Sequence, residues 1–304
     1  MHVVVAGATG FIGRPLCIAL ARQGHRVTAL ARHPDRAAVV LPPGIEPMAW
    51  DPARPGDWRQ AVATADAVVN LAGEPLASAR WTPAVKERLR ASRIETTRAI
   101  VEAGESAGRR DLVLLNASAT GYYGDRGSEP VTEEAEPGSD FLARLCAEWE
   151  AEATKGRDQG WRVVLLRTGI VLGEGGGALP RLIGPIRLGV GGRLGSGKQY
   201  VPWVHLEDHL ELIGLALNRD DLQGPLNCVA PNPATNAELT AILASILRRP
   251  AVAPVPGFVL RLALGEFAEA LLGGQRVVPA VAQRSGYLWR HPDLEPALRA
   301  ILGA

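Results

Sequence analysis

Gly7-Ala8-Thr9-Gly10-Phe11-Ile12-Gly13 follows the apolar run Val3-Val4-Val5-Ala6 and leads directly into a helical pattern from Pro15 to Gln23. A G-x-x-G-x-x-G match alone carries little weight in a chain with 34 glycines among 304 residues. Context makes it informative: a strand precedes it, a helix follows, and a second apolar run, Val27 to Ala31, completes one βαβ unit. Each glycine then has its own physical task. Gly7 permits the tight reversal, Gly10 lets backbone approach a pyrophosphate, and Gly13 lets the helix pack close to the strand. The helix N-terminus, reached through Thr9, Phe11 and Ile12, offers free N–H groups and a positive dipole end to phosphate oxygens. A bound dinucleotide is the expectation.

Outward from this turn the alternation continues. Apolar runs at Ala67 to Leu71, Leu112 to Asn116 and Val163 to Arg167 are interleaved with helical patterns at 83–104 and 140–155. This order predicts a doubly wound parallel sheet with right-handed crossovers. After Gly169 the texture changes, first to Gly173-Glu174-Gly175-Gly176-Gly177 and then to the stretch from Gly189 to Gly197, marking loops and a change of domain. Further on, a helix over about 207–218, a strand at Leu226-Asn227-Cys228-Val229, a helix capped by Asn236 and running to about Leu247, and helical stretches near 257–272 and 293–302 are expected.

Composition narrows the function classes. Lys+Arg of 33 against Asp+Glu of 32 leaves a net charge of +1, so no global field draws the chain to nucleic acid or anionic lipid. A small-molecule partner is the expectation. Cys17, Cys146 and Cys228 lie far apart without metal-ligand spacing, which fits a reducing cytoplasm, and Cys17 and Cys228 read as core. Val3-Val4-Val5 is too short to be a signal or a membrane span, so a cytoplasmic protein with no membrane partner is expected.

The end of the second strand selects the cofactor. An NAD site carries Asp or Glu there to accept the ribose 2′-hydroxyl, whereas this chain has Ala31-Arg32-His33, with Arg36 close behind. Arginine can bind a 2′-phosphate bidentately, so NADP(H) is favoured over NAD(H); the bland reading of Arg32 is a solvated loop charge. Asp51, where a third strand would end, has two readings: contact with the adenine amino group, or a turn aspartate before Pro52.

With Asn70-Leu71-Ala72-Gly73-Glu74-Pro75, Leu166-Arg167-Thr168-Gly169 and Pro202-Trp203-Val204-His205-Leu206-Glu207-Asp208 added to the glycine turn, the chain resembles the extended short-chain dehydrogenase/reductase superfamily. Within it the chain looks like the atypical epimerase-family subgroup labelled nucleoside-diphosphate-sugar epimerase or cell-division-inhibitor-like, including its extra C-terminal segment at Leu272-Gly273-Gly274-Gln275-Arg276-Val277. The resemblance implies an α/β fold with a Rossmann domain over 1–169, rejoined by about 204–228. It also implies a smaller, discontinuous C-terminal α/β substrate domain from 170–203 and 229–304, with the site between the two. Leu71, Ala72, Gly73 and Glu74 should line the nicotinamide ribose, and Arg80 should reach the cofactor.

One departure matters. The superfamily pairs a Ser or Thr on the fifth strand with Tyr-x-x-x-Lys on the next helix, where lysine lowers the tyrosine pKa and the phenol moves a proton as hydride moves. Ser118 fits the first position, but Leu142 and Cys146 stand where the pair belongs. If the chain is a catalyst, Tyr122 or Tyr123 is the candidate acid, with Arg126 as the cation depressing the phenol; their bland role is packing. His205 is a second titratable candidate, against a structural histidine. Lys198 and Tyr200, with Gln199, Arg193 and the nearby Trp203, form a candidate substrate cluster for phosphate or carboxylate, or else a solvated hairpin tip. Gly192 to Lys198 imitates a P-loop, but Gln199 replaces the Ser or Thr that binds Mg²⁺, and no metal site is expected. The leading expectation is an NADP(H)-dependent oxidoreductase or epimerase/dehydratase acting on a small polar or sugar-nucleotide-like molecule; the rival is a non-catalytic NADP(H) sensor. A homodimer through 83–104 and 140–155 fits their apolar periodicity as well as burial within one chain does.

Overall fold

Continuous Val-, Ala- and Leu-rich runs suit strands covered on both faces, and the chain uses them so. The computed structural model describes every residue except Ser78 and Val252. Its central sheet has seven parallel strands: β1 (His2–Ala6), β2 (Arg26–Ala31), β3 (Ile45–Ala49), β4 (Ala67–Asn70), β5 (Val113–Ala119), β6 (Arg162–Thr168) and β7 (Gly224–Cys228). In space they run β3-β2-β1-β4-β5-β6-β7. The order reverses between β1 and β4, as expected for a Rossmann sheet.

Successive residues of each strand feed opposite cores. Val3, Val5, Ala29, Val69, Leu115 and Val164 face α1 (Gly13–Arg22), through Leu16, Cys17 and Leu20, and α7 (Leu206–Asn218), through Leu212, Ile213 and Ala216. Val4, Leu30, Val68, Leu114 and Val163 face α3 (Trp58–Thr64), α4 (Pro83–Ser106) and α5 (Phe141–Thr154). A fully buried Val or Leu contributes about 1.5–3 kcal/mol, which makes these alternating rows the main stabilising element.

The remaining elements build the smaller C-terminal part. α6 (Leu179–Arg187), α8 (Asn236–Leu247) and the last helix (Leu294–Leu302) close a separate apolar cluster around Trp203, Leu239, Leu243 and Leu298. The short strands Ile170–Leu172 and Trp203–His205 pair in parallel beside it. Local chemistry corrects two expectations. Thr235, not Asn236, caps α8: its hydroxyl accepts the Glu238 N–H while the Glu238 carboxylate accepts the Thr235 N–H, a reciprocal capping box. The stretch 257–272 is two helices, α9 (Gly257–Leu264) and α10 (Phe267–Leu272), because Gly265 turns left-handed at φ 64° and ends the first. The short α2 (Pro34–Val40) and α3 were not expected. Among the described residues no helix is long and apolar enough to cross a membrane.

Candidate functional site

In a parallel sheet the C-terminal strand ends lie along one edge, and ligands settle where strand order reverses. Here that point lies between the loops after β1 and β4. Gly7 holds φ 79°, and a Cβ on it would lie 2.8 Å from the Leu71 carbonyl oxygen, so the two loops touch through backbone. A Cβ on Gly13 would lie 2.2 Å from the Gly7 oxygen, while Gly10 donates its N–H to that same oxygen at 3.0 Å. Thr9 and Gly10 are exposed at the tip, and Ile12 at the start of α1 supplies no side-chain cap, leaving first-turn N–H groups for a ligand. Phe11 turns away to pack: Cβ atoms on Gly173, Gly176 and Gly177 would come within 3.1, 2.6 and 2.7 Å of its ring. The glycine-rich loop after β6 is therefore the bed of the Phe11 ring.

Arg32 and Arg36 project into solvent, with no partner among the described residues. Asp51 has the geometry of a turn aspartate: one oxygen accepts the Ala53 N–H at 3.0 Å and the other lies 3.4 Å from Arg54. The loop of Leu71, Ala72, Gly73 and Glu74 is fixed from below. Ala72 donates its N–H to Asn70, Glu74 donates its N–H to Ser92, and buried Arg93 donates to the Glu74 carbonyl at 3.0 Å. Arg80 is exposed and leans on Gly265 at the α9–α10 corner.

The chemistry expected at the end of β5 takes an unexpected form. Ser118 and Arg167 are register partners on β5 and β6, so their side chains leave the same face of the sheet. Both reach Glu150 on α5: Ser118 donates its hydroxyl to the carboxylate at 2.6 Å, and Arg167 grips it with two bonds of 2.8 Å. All three are buried. The Ser118 proton is thus committed to a carboxylate, leaving the serine oxygen as an acceptor. Cys146, one helical turn before Glu150, is buried beside Ser118, and burial pushes its thiol up to about 12, so it is an inert filler where the superfamily has lysine. Leu142, at the tyrosine position, packs on Gly121.

Tyr123 is corrected as a catalytic candidate. It has no exposed surface, donates its hydroxyl to Asn227 at 2.6 Å and accepts from Arg167 at 3.0 Å. Burial pushes its phenol up to about 12. Tyr122 is half-buried with its ring under the Arg167 guanidinium at 3.5 Å, and burial raises its pKa too. The cation at both phenols is Arg167. Arg126 instead donates to the Tyr123 and Glu136 carbonyls.

His205 is buried as the cap of α7, its Nδ1 accepting the Glu207 N–H at 3.1 Å. Its ring stacks on His291 at 3.7 Å, and burial followed by that neighbouring imidazole lowers its pKa. His205, Glu207 and His291 bring ligand atoms within 4.8 Å of one another, the one such group among the described residues. The cap bond places the His205 proton on Nε2, which weakens that nitrogen as a metal ligand. Trp203 is also corrected as a substrate contact: it is buried in the C-terminal core and donates its indole N–H to Asn232. The cluster around it splits. Gln199 is buried and donates to two carbonyls, Lys198 is exposed, and Tyr200 sits half-buried with Arg276 over its ring at 5.7 Å. No helix follows Lys198, so the P-loop likeness has no P-loop fold behind it.

Sequence reading missed Glu150, Arg167, Asn70 and Asn116. Asn70 donates to Asn116 at 2.8 Å and to Thr97 at 2.9 Å, and Trp149 donates to Thr97, tying β4, β5, α4 and α5 into one buried polar layer below the crevice. The available signal was a polar residue closing an otherwise apolar strand run on three adjacent strands.

The sequence pattern of the NAD dependent epimerase/dehydratase family matches residues 3–228, and that of a domain of unknown function, DUF1731, matches 255–301. The epimerase family protein SDR39U1 homolog, chloroplastic, of Arabidopsis thaliana is 40% identical, with 99% of this chain and 87% of that protein covered. Human epimerase family protein SDR39U1 is 36% identical, with 99% and 100% covered. Among solved structures, human SDR39U1 (isoform 2) with NADPH superposes with a TM-score of 0.87 at 35% identity, covering 100% of this chain and 99% of that one. A nucleoside-diphosphate sugar epimerase from Corynebacterium glutamicum gives 0.80 at 33%, covering 100% of this chain and 58% of that one.

Proposed function

Because the chain belongs to the NAD dependent epimerase/dehydratase family, among the SDR39U1-like proteins, we propose that it binds NADP(H) in the crevice framed by Gly7–Gly13 and Leu71–Glu74 and acts as a dinucleotide-responsive protein rather than an acid–base dehydrogenase. The NADPH in the human SDR39U1 structure, in a chain 35% identical to this one, supports the cofactor, as does unpaired Arg32 where a 2′-phosphate would lie. The close backbone contacts of Gly7 and Gly13 fit the group. When bound, the nicotinamide supplies a hydride donor or acceptor.

What carries the non-catalytic reading is the buried chain Ser118–Glu150–Arg167. It takes the serine proton out of play, and Leu142 and Cys146 transfer no proton in its place. A second reading, an oxidoreductase or epimerase of a small polar or sugar-nucleotide-like substrate, rests on Tyr122, the phenol of this loop that keeps exposed surface.

The two readings separate in one assay. Protein loaded with NADPH, and separately with NADP+, is mixed with a panel of aldehydes, ketones, alcohols and sugar nucleotides while the nicotinamide absorbance is followed and epimerised products are sought by NMR. The expected result is saturable NADPH binding with no change of nicotinamide redox state above the buffer rate and no epimerised product. Turnover that disappears in Tyr122→Phe would overturn the non-catalytic reading and install the second.

A further inference from the structure

α8 ends on Arg248, the one non-glycine residue with positive φ among the described residues (φ 52°, ψ 44°). In that left-handed region a Cβ crowds the following carbonyl, which is why helices usually end there on glycine or asparagine. An arginine in such a strained position directs attention to what its side chain reaches.

That side chain borders an open groove of about 740 Å³ whose other charged lining residues are Arg193 and Arg249. No acidic residue lines the groove, and none of the three guanidiniums has a hydrogen-bond or carboxylate partner among the described residues. The negative end of the α8 dipole favours a cation at 248 and 249. It does not explain Arg193, which arrives from another loop. Ala237, Ala241 and Ala244 lie along one face of α8, and their small side chains leave the groove its room.

Both walls are fixed. Val255 donates its N–H to the Arg193 carbonyl at 2.8 Å, Leu194 donates to the Asn236 side chain at 2.7 Å, and Ala237 donates to Gly197 at 2.9 Å. A Cβ on Gly192 would lie 1.8 Å from the Ala253 oxygen, so the strands of chain on either side of Arg193 and Arg249 pack backbone to backbone. The backbone that carries Arg193 is thereby fixed beside α8, while the three exposed guanidiniums are free to turn toward a ligand.

We propose that this groove binds a small molecule carrying a phosphoanhydride, such as a nucleoside triphosphate, at a site separate from the dinucleotide crevice. Guanidinium forks match phosphate oxygens in pairs, and three of them suit two or three linked phosphates. A net charge of +1 provides no extended field for nucleic acid, which favours a small anion at this open groove. None of the groove's lining residues belongs to the crevice, so this site stands independently of the function proposed above.

Calorimetry on protein saturated with NADPH, which occupies the crevice, tests this with ATP and inorganic pyrophosphate as probes. One additional site is expected, weakened by added NaCl and by about tenfold or more in Arg248→Gly and in Arg249→Ala. Arg248→Gly relieves the left-handed strain and should raise Tm by about 2 °C, so its loss of binding is not a loss of folding. ATP binding tighter than pyrophosphate assigns a nucleotide; equal affinities assign the bare phosphoanhydride. Absence of binding by either probe at millimolar concentration, or binding unchanged in Arg248→Gly, overturns the proposal.

Discussion

Arg32 and Arg167 show how one residue type serves opposite ends. Arg32 is exposed and unpaired, available to an incoming phosphate. Truncating it should therefore cost NADPH about tenfold or more in affinity, from the loss of charge-assisted bonds, and leave NADH nearly unchanged. Fluorescence titration of Arg32→Ala with both dinucleotides measures this, and equal weakening would remove the 2′-phosphate assignment. Arg167 is buried and fully engaged with Glu150, Tyr123 and the Glu133 carbonyl. Arg167→Met strands a buried carboxylate and should destabilise by about 3–5 kcal/mol in urea unfolding, whereas Arg167→Met with Glu150→Leu should recover most of that loss. If the single variant is as stable as the parent, the network is not the anchor described. Arg32 could be singled out from sequence because the end of the second strand in a dinucleotide fold lies beside the adenosine ribose, and its role there is the proposal under test. The Arg167–Glu150 pair could not, because its members lie 17 residues apart on different elements and only the packing of α5 across β5 and β6 joins them.

Among the elements, long periodic helices and the glycine turn read clearly from sequence, and short or capped pieces did not. α4 and α5 were found because their apolar spacing persists over several turns. α2 and α3, at seven residues each, are too short for a period to emerge, and tertiary contacts set them. The capping box of α8 was missed by one residue, though Thr235 and Glu238 carry its spacing. Thr235→Ala should cost about 1 kcal/mol, read as a lower urea midpoint; no change would mean that the cap does not support the helix. The glycine turn behaves oppositely under substitution. Gly13→Ala places a methyl 2.2 Å from the Gly7 oxygen, so the turn must open, and dinucleotide binding should fall much further than stability does. α4 and α5 also pack on each other, with Arg90 and Arg98 bonded to Glu148 and Glu152 between them. Burial within one chain therefore accounts for much of their apolar pattern, and a homodimer remains a proposal for sedimentation to test.

At the scale of the whole molecule, a sheet built from one repeated βαβ rule made the fold legible, whereas the site's departures from its superfamily are visible in sequence only as absences. What replaced the missing tyrosine and lysine, a closed serine–carboxylate–arginine chain, required coordinates. The fold also sets a pH dependence. His209 on α7 is fully packed with neither ring nitrogen bonded, and burial lowers its pKa from 6.5 to about 4. Between those values the unfolded chain binds the extra proton, so stability rises with pH across the window and is lost as pH falls through it, by up to about 3 kcal/mol. Glu133, raised by burial, opposes this at the acidic end. Urea midpoints at about pH 5 and about pH 7 should differ less in His209→Leu than in the parent; an unchanged difference would place the titration elsewhere. The central claim, a crevice made for a 2′-phosphorylated dinucleotide, is tested most directly by titrating the purified protein with NADPH and NADH under identical salt. Saturable one-to-one binding with NADPH the tighter ligand by about tenfold or more is predicted, and equal affinity, tighter NADH or no binding of either would contradict it.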